Sequence, residues 1–362
     1  MRVERALPWC VLLAMTAISC TTAASTSTRP ADTRAAAELG LSADEAASLA
    51  SLEQVDDYPL YTMHHYAPEA LVARPGPALL EAGAAGEGWA CSLFAALGDP
   101  ESRMFGRNFD WEFSPALLLF NHPPDGYASV SMVDIAYLGF PGDESARLTE
   151  KSLADIVGLL DAPHIPFDGM NEMGLVVGMA AVPEAYMPMD SSKGTVDTLG
   201  IIRLMLDGAA TVEEAVAIMG AYNVDFAGQT PLHYLLADAA GDAALVEYYR
   251  GELRVIRSDT AWHQATNFLL SDPGPAAGQC HRYDEIDDEL AARGGALDFA
   301  SAFDLLERVA QQHTQWSAVY DLSTGEIRIA VGQDVLHHRV AGFVIGNDLF
   351  FFLADQPALA FR

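Results

Sequence analysis

Two neighbouring stretches decide the fold of this chain: Cys91–Leu97 (CSLFAAL) and Arg103–Phe109 (RMFGRNF). Both are apolar enough to be buried strands, and the Gly-Asp-Pro turn signal between them predicts a hairpin. Such a hairpin brings Arg107 and Asp110 back beside Cys91. A thiol at the head of a strand, with a guanidinium and a carboxylate returning next to it, is typical of a nucleophile and the groups that control its protonation.

The composition allows a large globular unit and disfavours polyanionic partners. The chain has 362 residues, of which 51% are hydrophobic, so a sizeable core is possible. Its 20 basic and 50 acidic residues give a formal net charge of -30. This charge repels nucleic acid and anionic membrane surfaces, and we therefore expect no nucleic-acid partner.

The N-terminus has the pattern of an export signal. Two arginines precede an apolar run over residues 6–17, and small residues lead to Cys20. We expect a lipoprotein signal peptide over residues 1–19, lipidation of Cys20, and a membrane-anchored protein of the cell envelope. Ordinary signal cleavage near residue 23 or 24 is the alternative.

The cysteines predict a chain without a structural disulfide. If Cys20 is lipidated and Cys91 is a nucleophile, Cys280 has no partner in the exported protein. A disulfide between Cys91 and Cys280 is the alternative.

The rest of the chain indicates an α+β protein. Residues 20–40 are rich in Ala, Ser, Thr and Arg and predict a flexible tether. Apolar runs bounded by turn residues predict strands, and capping signals with amphipathic spacing predict helices between them. The predicted strands are 116–120, 128–137, 174–180, 232–237, 243–249, 253–256, 315–322 and 326–331, with a last hairpin turning at 346–348. The predicted helices are 41–52, 198–206, 215–222, 283–292 and 300–311.

The motifs around the hairpin resemble those of the cysteine N-terminal-nucleophile (Ntn) hydrolases of the linear amide C–N hydrolase, or choloylglycine hydrolase, family. That family includes penicillin V acylase, acid ceramidase and N-acylethanolamine acid amidase. It places an arginine sixteen residues and an aspartate nineteen residues after the nucleophilic cysteine, as this chain does with Arg107 and Asp110. The resemblance continues at Asn171–Leu175, at Thr266-Asn267, at Arg282 and at Thr314–Asp321.

The resemblance implies a particular architecture and processing. The expected fold is a four-layer αββα sandwich, with two mainly antiparallel sheets between helical layers. Residues 91–362 would be the catalytic domain, and residues 41–90 a pro-segment or small α subunit that is retained after cleavage. Relatives cut the bond equivalent to Ala90–Cys91 by attack of the thiol on the preceding carbonyl.

The resemblance also implies roles for individual residues. Once freed, the α-amino group of Cys91 can accept the thiol proton, since its reference pKa is about 8. Asp110 would bind that amino group, and Arg107 would lower the thiol pKa. The alternative for Arg107 and Asp110 is a simple ion pair across the hairpin.

Three further residues are candidates on the same grounds. Asn267 would donate to the oxyanion, unless it is an ordinary turn residue. Arg282 would hold the site, unless it is a surface residue at a helix start. Asn171 would bind substrate or support the site, with an ordinary tight turn as the alternative. Bile-salt hydrolases carry a second asparagine where this chain has Ala181, which argues against bile-salt specificity.

No cofactor or metal is expected. The adjacent pairs His64-His65 and His337-His338 would point apart on a strand and have no further ligand at suitable spacing. The sequence thus predicts a self-processing amidase that cleaves an N-acylated small molecule through a thioester of Cys91. An acyltransferase with an amine acceptor and a non-catalytic surface lipoprotein of the same fold remain the alternatives.

Overall fold

The computed structural model describes residues 33–56, 58–67 and 90–331, together with the backbone of 339–344 and 351–353. In chain order its strands are β1 (Glu53–Asp56), β2 (Leu60–His65), β3 (Ser92–Ala96), β4 (Met104–Asp110), β5 (Ala116–Asn121), β6 (Ser129–Asp134), β7 (Asp168–Asn171), β8 (Val176–Ala181), β9 (Thr195–Asp197), β10 (Asn223–Asp225), β11 (Leu232–Ala237), β12 (Ala243–Tyr249), β13 (Glu252–Ile256), β14 (Trp262–Ala265), β15 (Thr314–Asp321), β16 (Glu326–Val331), β17 (Arg339–Val344) and β18 (Phe351–Leu353).

The helices lie mostly between the strands. The α-helices are α1 (Thr33–Glu38), α2 (Ala43–Ala50), α3 (Leu153–Ile156), α4 (Gly200–Gly208), α5 (Val212–Ala221), α6 (His281–Ala292) and α7 (Phe299–Arg308). Short 3₁₀ segments cover 135–138, 142–145, 148–150 and 157–164. Within the described residues, no helix has both the length and the apolar character needed to cross a membrane.

Two large sheets form the centre of the molecule. One sheet has nine strands in the order β1-β2-β5-β6-β7-β8-β11-β12-β13, and the other has seven in the order β14-β3-β4-β15-β16-β17-β18. Their neighbouring strands are antiparallel except for β2 and β5, which run parallel. The predicted α+β class with two mainly antiparallel sheets is therefore confirmed.

The two sheets pack face to face, and helices cover their outer faces. A Cβ added to Gly178 of β8 would lie 2.5 Å from Leu93 of β3, which shows how closely the sheets approach. Helices α4 and α5 cover the nine-stranded sheet, and α6 and α7 cover the seven-stranded one. The predicted αββα sandwich is thus present, with the largest apolar cluster between the sheets.

Local signals in the sequence set most of the element boundaries. Helix α2 begins after Ser42, whose hydroxyl accepts from the Glu45 N–H while the Glu45 carboxylate accepts from the Ser42 N–H. The predicted strand over 128–137 ends earlier, at Asp134, because the Asp134 carboxylate accepts from the Ala136 N–H and starts a 3₁₀ turn. The predicted turn at 346–348 lies outside the described residues, although β17 and β18 on either side of it pair antiparallel.

The prediction of a flexible tether over residues 20–40 is wrong for its last part. Residues Thr33–Glu38 form helix α1, in which Ala36 is buried against the rest of the protein. The reason is the alanine run, which has the highest helix propensity and small side chains that pack closely.

Residues 60–65, which precede Cys91 in the chain, are part of the nine-stranded sheet. Strand β2 pairs along its whole length with β5, and Leu60, Tyr61 and Met63 are fully buried. The Tyr61 hydroxyl donates to the Ser145 carbonyl at 2.7 Å. Residues before the nucleophile therefore contribute to the same core as residues after it.

Candidate active site

The predicted hairpin places Cys91 at the head of β3. Leu93 pairs with Arg107 and Ser92 with Asn108 across β3 and β4, so the end of β4 returns beside Cys91. The Cys91 side chain is buried, and Nη2 of Arg107 lies 3.6 Å from its sulfur. The sequence interval of sixteen residues thus becomes a direct side-chain contact.

A carboxylate that the sequence analysis does not select holds Arg107 in this position. Nη1 of Arg107 donates to Oδ2 of Asp168 at 2.8 Å and to the Phe167 carbonyl at 3.0 Å. The Tyr320 hydroxyl donates to the other oxygen of Asp168. The signal that could have found Asp168 is its place three residues before Asn171, immediately ahead of the Asn171–Leu175 motif.

Burial dominates the acidity of the Cys91 thiol. It raises the thiol pKa above the usual range, although the Arg107 guanidinium acts in the opposite direction. Arg107 thus lowers the thiol pKa as predicted, but burial raises it by more in the uncut chain. The guanidinium is already paired with Asp168. Removing a thiolate from water therefore costs more free energy than the remaining attraction to Arg107 provides. The thiol consequently needs a base.

Asp110, whose charge acts on the Cys91 thiol, has one carboxylate oxygen without a hydrogen bond among the described residues. Its Oδ1 accepts from the Thr314 hydroxyl, whereas its Oδ2 is buried and has no hydrogen-bond partner among the described residues. Burial raises the pKa of Asp110 to about 7. An orphaned buried carboxylate oxygen is an acceptor suited to a cationic donor such as an α-ammonium group.

Arg282 binds the backbone at Cys91. Its Nη1 donates to the Cys91 carbonyl and to the Ser92 hydroxyl, the latter at 2.9 Å. Its Nη2 donates to Oδ1 of Asn267 at 3.0 Å. Arg282 is buried at the start of α6, so the alternative of a surface arginine does not describe it.

Asn267 lies next to the same strand because β14 pairs with β3, with Ala265 opposite Leu93. Its Nδ2 donates one hydrogen to the Ala181 carbonyl at 2.8 Å. The second hydrogen of this amide has no acceptor among the described residues. The Ala181 side chain, where bile-salt hydrolases have asparagine, supplies no donor.

Asn171 does not join this group. Its Nδ2 donates to the carbonyls of Leu206 and Ala209, and its Oδ1 accepts from the N–H groups of Met173 and Leu175. These hydrogen bonds connect the turn after β7 to the end of α4 in the outer helical layer. Alternation along β7 puts Asn171 and Asp168 on opposite faces of the sheet, so the tight-turn alternative describes Asn171.

Aromatic rings surround Arg107. Its guanidinium carbon lies 5.0 Å from the centre of the Phe109 ring, which stacks on Trp316 at 4.1 Å and packs edge-on against Phe167 at 5.3 Å. The half-buried rings of Trp111 and Tyr137 extend this cluster toward the surface, 6.1 Å from Phe109 and 5.5 Å from Phe167 respectively.

The remaining predicted residues are accounted for as follows. Cys280 is a free thiol at the N-cap of α6, and Cys91 is free as well, so the alternative disulfide is absent. Within the described part of the chain, no three His, Cys, Asp or Glu side chains gather as metal ligands. Cys20 and the His337-His338 pair lie outside the described residues.

An αββα sandwich of two mainly antiparallel sheets between helical layers is the fold of the Ntn hydrolases. Comparison with known families narrows this class. Residues 91–267 match the model for linear amide C–N hydrolases, choloylglycine hydrolase family. Residues 91–267 are therefore similar to this family, and the protein is a hydrolase acting on linear amide C–N bonds.

Solved structures share the fold at low identity. Penicillin V acylase from Agrobacterium tumefaciens is 19% identical with a TM-score of 0.50, over 70% of this chain and 86% of that one. A mutant of conjugated bile acid hydrolase from Clostridium perfringens is 16% identical with a TM-score of 0.50, over 72% and 96% of the two chains. Among curated proteins, none matches the sequence.

Proposed function

We propose that this protein is a self-processing amidase that hydrolyses a linear amide bond of an N-acylated small molecule, with Cys91 as the nucleophile. The observation that carries the proposal is that Arg107 and Arg282 both contact Cys91 and that Arg282 also binds Asn267. Asp110 adds a buried carboxylate oxygen that has no hydrogen-bond partner among the described residues. Amide hydrolysis requires a nucleophile, a group that positions the base and a hydrogen-bond donor to the oxyanion.

Processing comes first in this mechanism. The Cys91 sulfur attacks the carbonyl carbon of Ala90, the C–N bond breaks and the thiol proton passes to the departing nitrogen. This step leaves a thioester and a free α-amino group on Cys91. Water then opens the thioester to give the Ala90 carboxylate and the thiol. The freed amino group can bind the orphaned Oδ2 of Asp110, which relieves the cost of that buried carboxylate.

Turnover uses the same thiol. The α-amino group accepts the thiol proton, the sulfur attacks the substrate carbonyl carbon, and the free hydrogen of the Asn267 amide donates to the oxyanion. The C–N bond breaks, the leaving amine takes up the proton, and the acyl group stays on sulfur. Water hydrolyses the thioester, which yields the carboxylic acid and regenerates the thiol.

The aromatic cluster favours an apolar acyl group. Trp111 and Tyr137 are half-buried, so they can exchange solvent for an acyl chain or ring beside Arg107. The related structures with a TM-score of 0.50 bear the names penicillin V acylase and conjugated bile acid hydrolase. Ala181 lacks the amide that bile-salt hydrolases carry, so we favour acyl groups other than bile acids.

The segment before Cys91 is proposed to stay bound after cleavage as a small subunit. Support comes from the pairing of β2 with β5 and from the burial of Leu60, Tyr61 and Met63. From the sequence, we also propose export as a lipoprotein anchored through Cys20. A Cys20→Ala variant should then move from the membrane fraction to the soluble fraction of the cell envelope.

Processing is tested by intact mass and N-terminal sequencing of the parent and of Cys91→Ala. We expect a new N-terminus at Cys91 in the parent and a single uncut chain in the variant. A parent that remains uncut through purification and prolonged incubation would contradict self-processing.

Substrate class is tested with a panel containing phenoxymethylpenicillin, a glycine-conjugated bile acid and a fatty-acyl ethanolamide. We expect hydrolysis of at least one non-bile amide by the parent and none by Cys91→Ala. Added hydroxylamine distinguishes the acyltransferase alternative, because an enzyme built for transfer would form the hydroxamate in preference to the acid.

A further inference from the structure

A second buried pair, His233 and Glu247, lies between the two sheets and outside the group that surrounds Cys91. His233 is on β11 and Glu247 on β12, both in the nine-stranded sheet, and their side chains are 1% and 0% exposed. Nδ1 of His233 lies 3.3 Å from Oε1 of Glu247. Burying a carboxylate in a core is costly unless its hydrogen bonds are satisfied, so the contacts of this pair indicate its purpose.

Those contacts all reach one segment, residues 266–271, which follows strand β14 of the opposite sheet. Nε2 of His233 lies 2.8 Å from the Thr266 carbonyl. Glu247 accepts from the Leu270 N–H at 2.8 Å and from the Ser271 N–H at 2.9 Å. Apart from the contact between them, every described hydrogen bond of the two side chains goes to this segment.

Asn267 lies inside the segment that the pair holds. The backbone is fixed immediately before it at Thr266 and three and four residues after it at Leu270 and Ser271. We infer that His233 and Glu247 are positioning residues that set the Asn267 amide at the oxyanion through these backbone contacts. The inference rests on the proposed function, because it gives Asn267 the role of oxyanion donor.

The hydrogen bonds of His233 and Glu247 can hold residues 266–271 rigidly against the nine-stranded sheet. Both nitrogens of the His233 ring face oxygen atoms, so the ring connects the Glu247 carboxylate to the Thr266 carbonyl. The hydrogen bonds from His233, Ser271 and Leu270 hold the pKa of Glu247 below its usual range despite burial, which keeps the carboxylate ionised. The other described titratable group facing the pair is His263, which instead contacts the Ile256 carbonyl and the Gln264 N–H.

Loss of the His233–Glu247 pair should affect stabilisation of the transition state rather than substrate binding. An oxyanion donor contributes when the tetrahedral intermediate forms, and a displacement of a fraction of an ångström weakens that contribution. Loss of the pair should therefore lower the rate constant for acylation of Cys91 and leave KM nearly unchanged.

The test measures the Cys91-dependent burst of p-nitrophenolate from p-nitrophenyl acetate, whose small acyl group enters narrow pockets. The variants are His233→Gln, Glu247→Gln, Asn267→Ala and the double variant His233→Gln/Asn267→Ala. We expect Asn267→Ala to lose ~100-fold and each single positioning variant ~10-fold or more in the acylation rate, with KM within about twofold. The double variant should be no slower than Asn267→Ala, because the pair acts through Asn267.

The matched control is His263→Gln, which replaces another buried histidine of the same region without touching residues 266–271. Circular dichroism and thermal unfolding report the folded fraction of every variant. We expect His263→Gln to lose stability while its folded fraction keeps the parent acylation rate within about twofold.

The outcomes separate the two proposals. The positioning role alone would be overturned if folded His233→Gln and Glu247→Gln acylated as fast as the parent. It would also be overturned if the loss of acylation rate in the double variant equalled the product of the two single losses. A parent without a Cys91-dependent burst, or an Asn267→Ala variant as fast as the parent, would overturn the proposed function and the positioning role with it.

Discussion

Arg107 and Asp168 form a fully buried ion pair at 2.8 Å, and the guanidinium in this pair is the one that touches the Cys91 sulfur. The pair links β4 of one sheet to β7 of the other. It keeps a permanent cation inside an apolar sandwich, at the position where the proposed mechanism forms a thiolate. The stability of the core and the placement of positive charge beside Cys91 therefore depend on the same contact.

Asp168→Asn should destabilise the protein by ~3–5 kcal/mol, because it leaves the buried guanidinium of Arg107 without a counter-charge. Urea unfolding measures this effect. The matched control is Tyr320→Phe, which removes only the hydroxyl that donates to Asp168 and should cost ~2 kcal/mol. Equal losses in the two variants would show that the charge of Asp168 contributes nothing beyond a neutral hydrogen bond.

Asp110→Asn should stabilise the uncut chain at pH 8 by up to ~4 kcal/mol. Burial raises the Asp110 pKa from 3.8 to about 7, so the folded state holds this proton to higher pH than the unfolded state does. Stability from this group therefore falls as pH rises between these values, and the gain from asparagine should vanish near pH 4.

The measurement compares unfolding of Cys91→Ala with that of Cys91→Ala/Asp110→Asn at pH 4 and pH 8, since Cys91→Ala keeps the chain uncut. The exposed Asp125→Asn change removes the same charge from the surface and serves as the control. A gain that is equal at both pH values would contradict the raised pKa of Asp110. The same Asp110→Asn change in the parent should abolish turnover.

Gly178→Ala should cost ~1–3 kcal/mol, because the new methyl would lie 2.5 Å from Leu93 and 2.8 Å from Phe105 between the two sheets. Since Leu93 is two residues from Cys91, the variant should also cut and turn over more slowly. Thermal unfolding and the rate of processing measure the two effects.

Gly220→Ala is the matched control for that change. A Cβ at Gly220 meets no atom within 4 Å, and the residue is in helix α5. Alanine there should be neutral or stabilising by ~0.5–1 kcal/mol. An equal loss in both glycine variants would argue against close packing of the sheets as the cause.

Leu60→Ala should weaken the hold of the N-terminal segment by ~2–5 kcal/mol, since Leu60 is 1% exposed in β2. In processed protein the two pieces should co-elute on size exclusion, and Leu60→Ala should release the smaller piece at a lower urea concentration. Leu39→Ala, which truncates a 41% exposed leucine of the same segment, should not change the release. Separation of the parent pieces in buffer alone would contradict a retained subunit.

The sequence by itself determined the local structure. It predicts strands β11 and β12 with the bounds that the structure shows, because apolar runs ended by turn residues leave little choice. The hairpin of β3 and β4 follows from its turn signal and from two apolar runs. Since a hairpin joins neighbouring residues, the contact between Arg107 and Cys91 can be inferred from spacing alone.

Tertiary structure decided which distant side chains meet. Asp168 binds Arg107 and His233 binds the Thr266 carbonyl because the two sheets face each other in one particular register. A shift of one residue in β7 would exchange Asp168 with its neighbours and turn it away from Arg107, as Asn171 is turned toward α4. Burial, which decides the acidity of Cys91 and Asp110, is likewise a property of the assembled sandwich and of no short stretch of sequence.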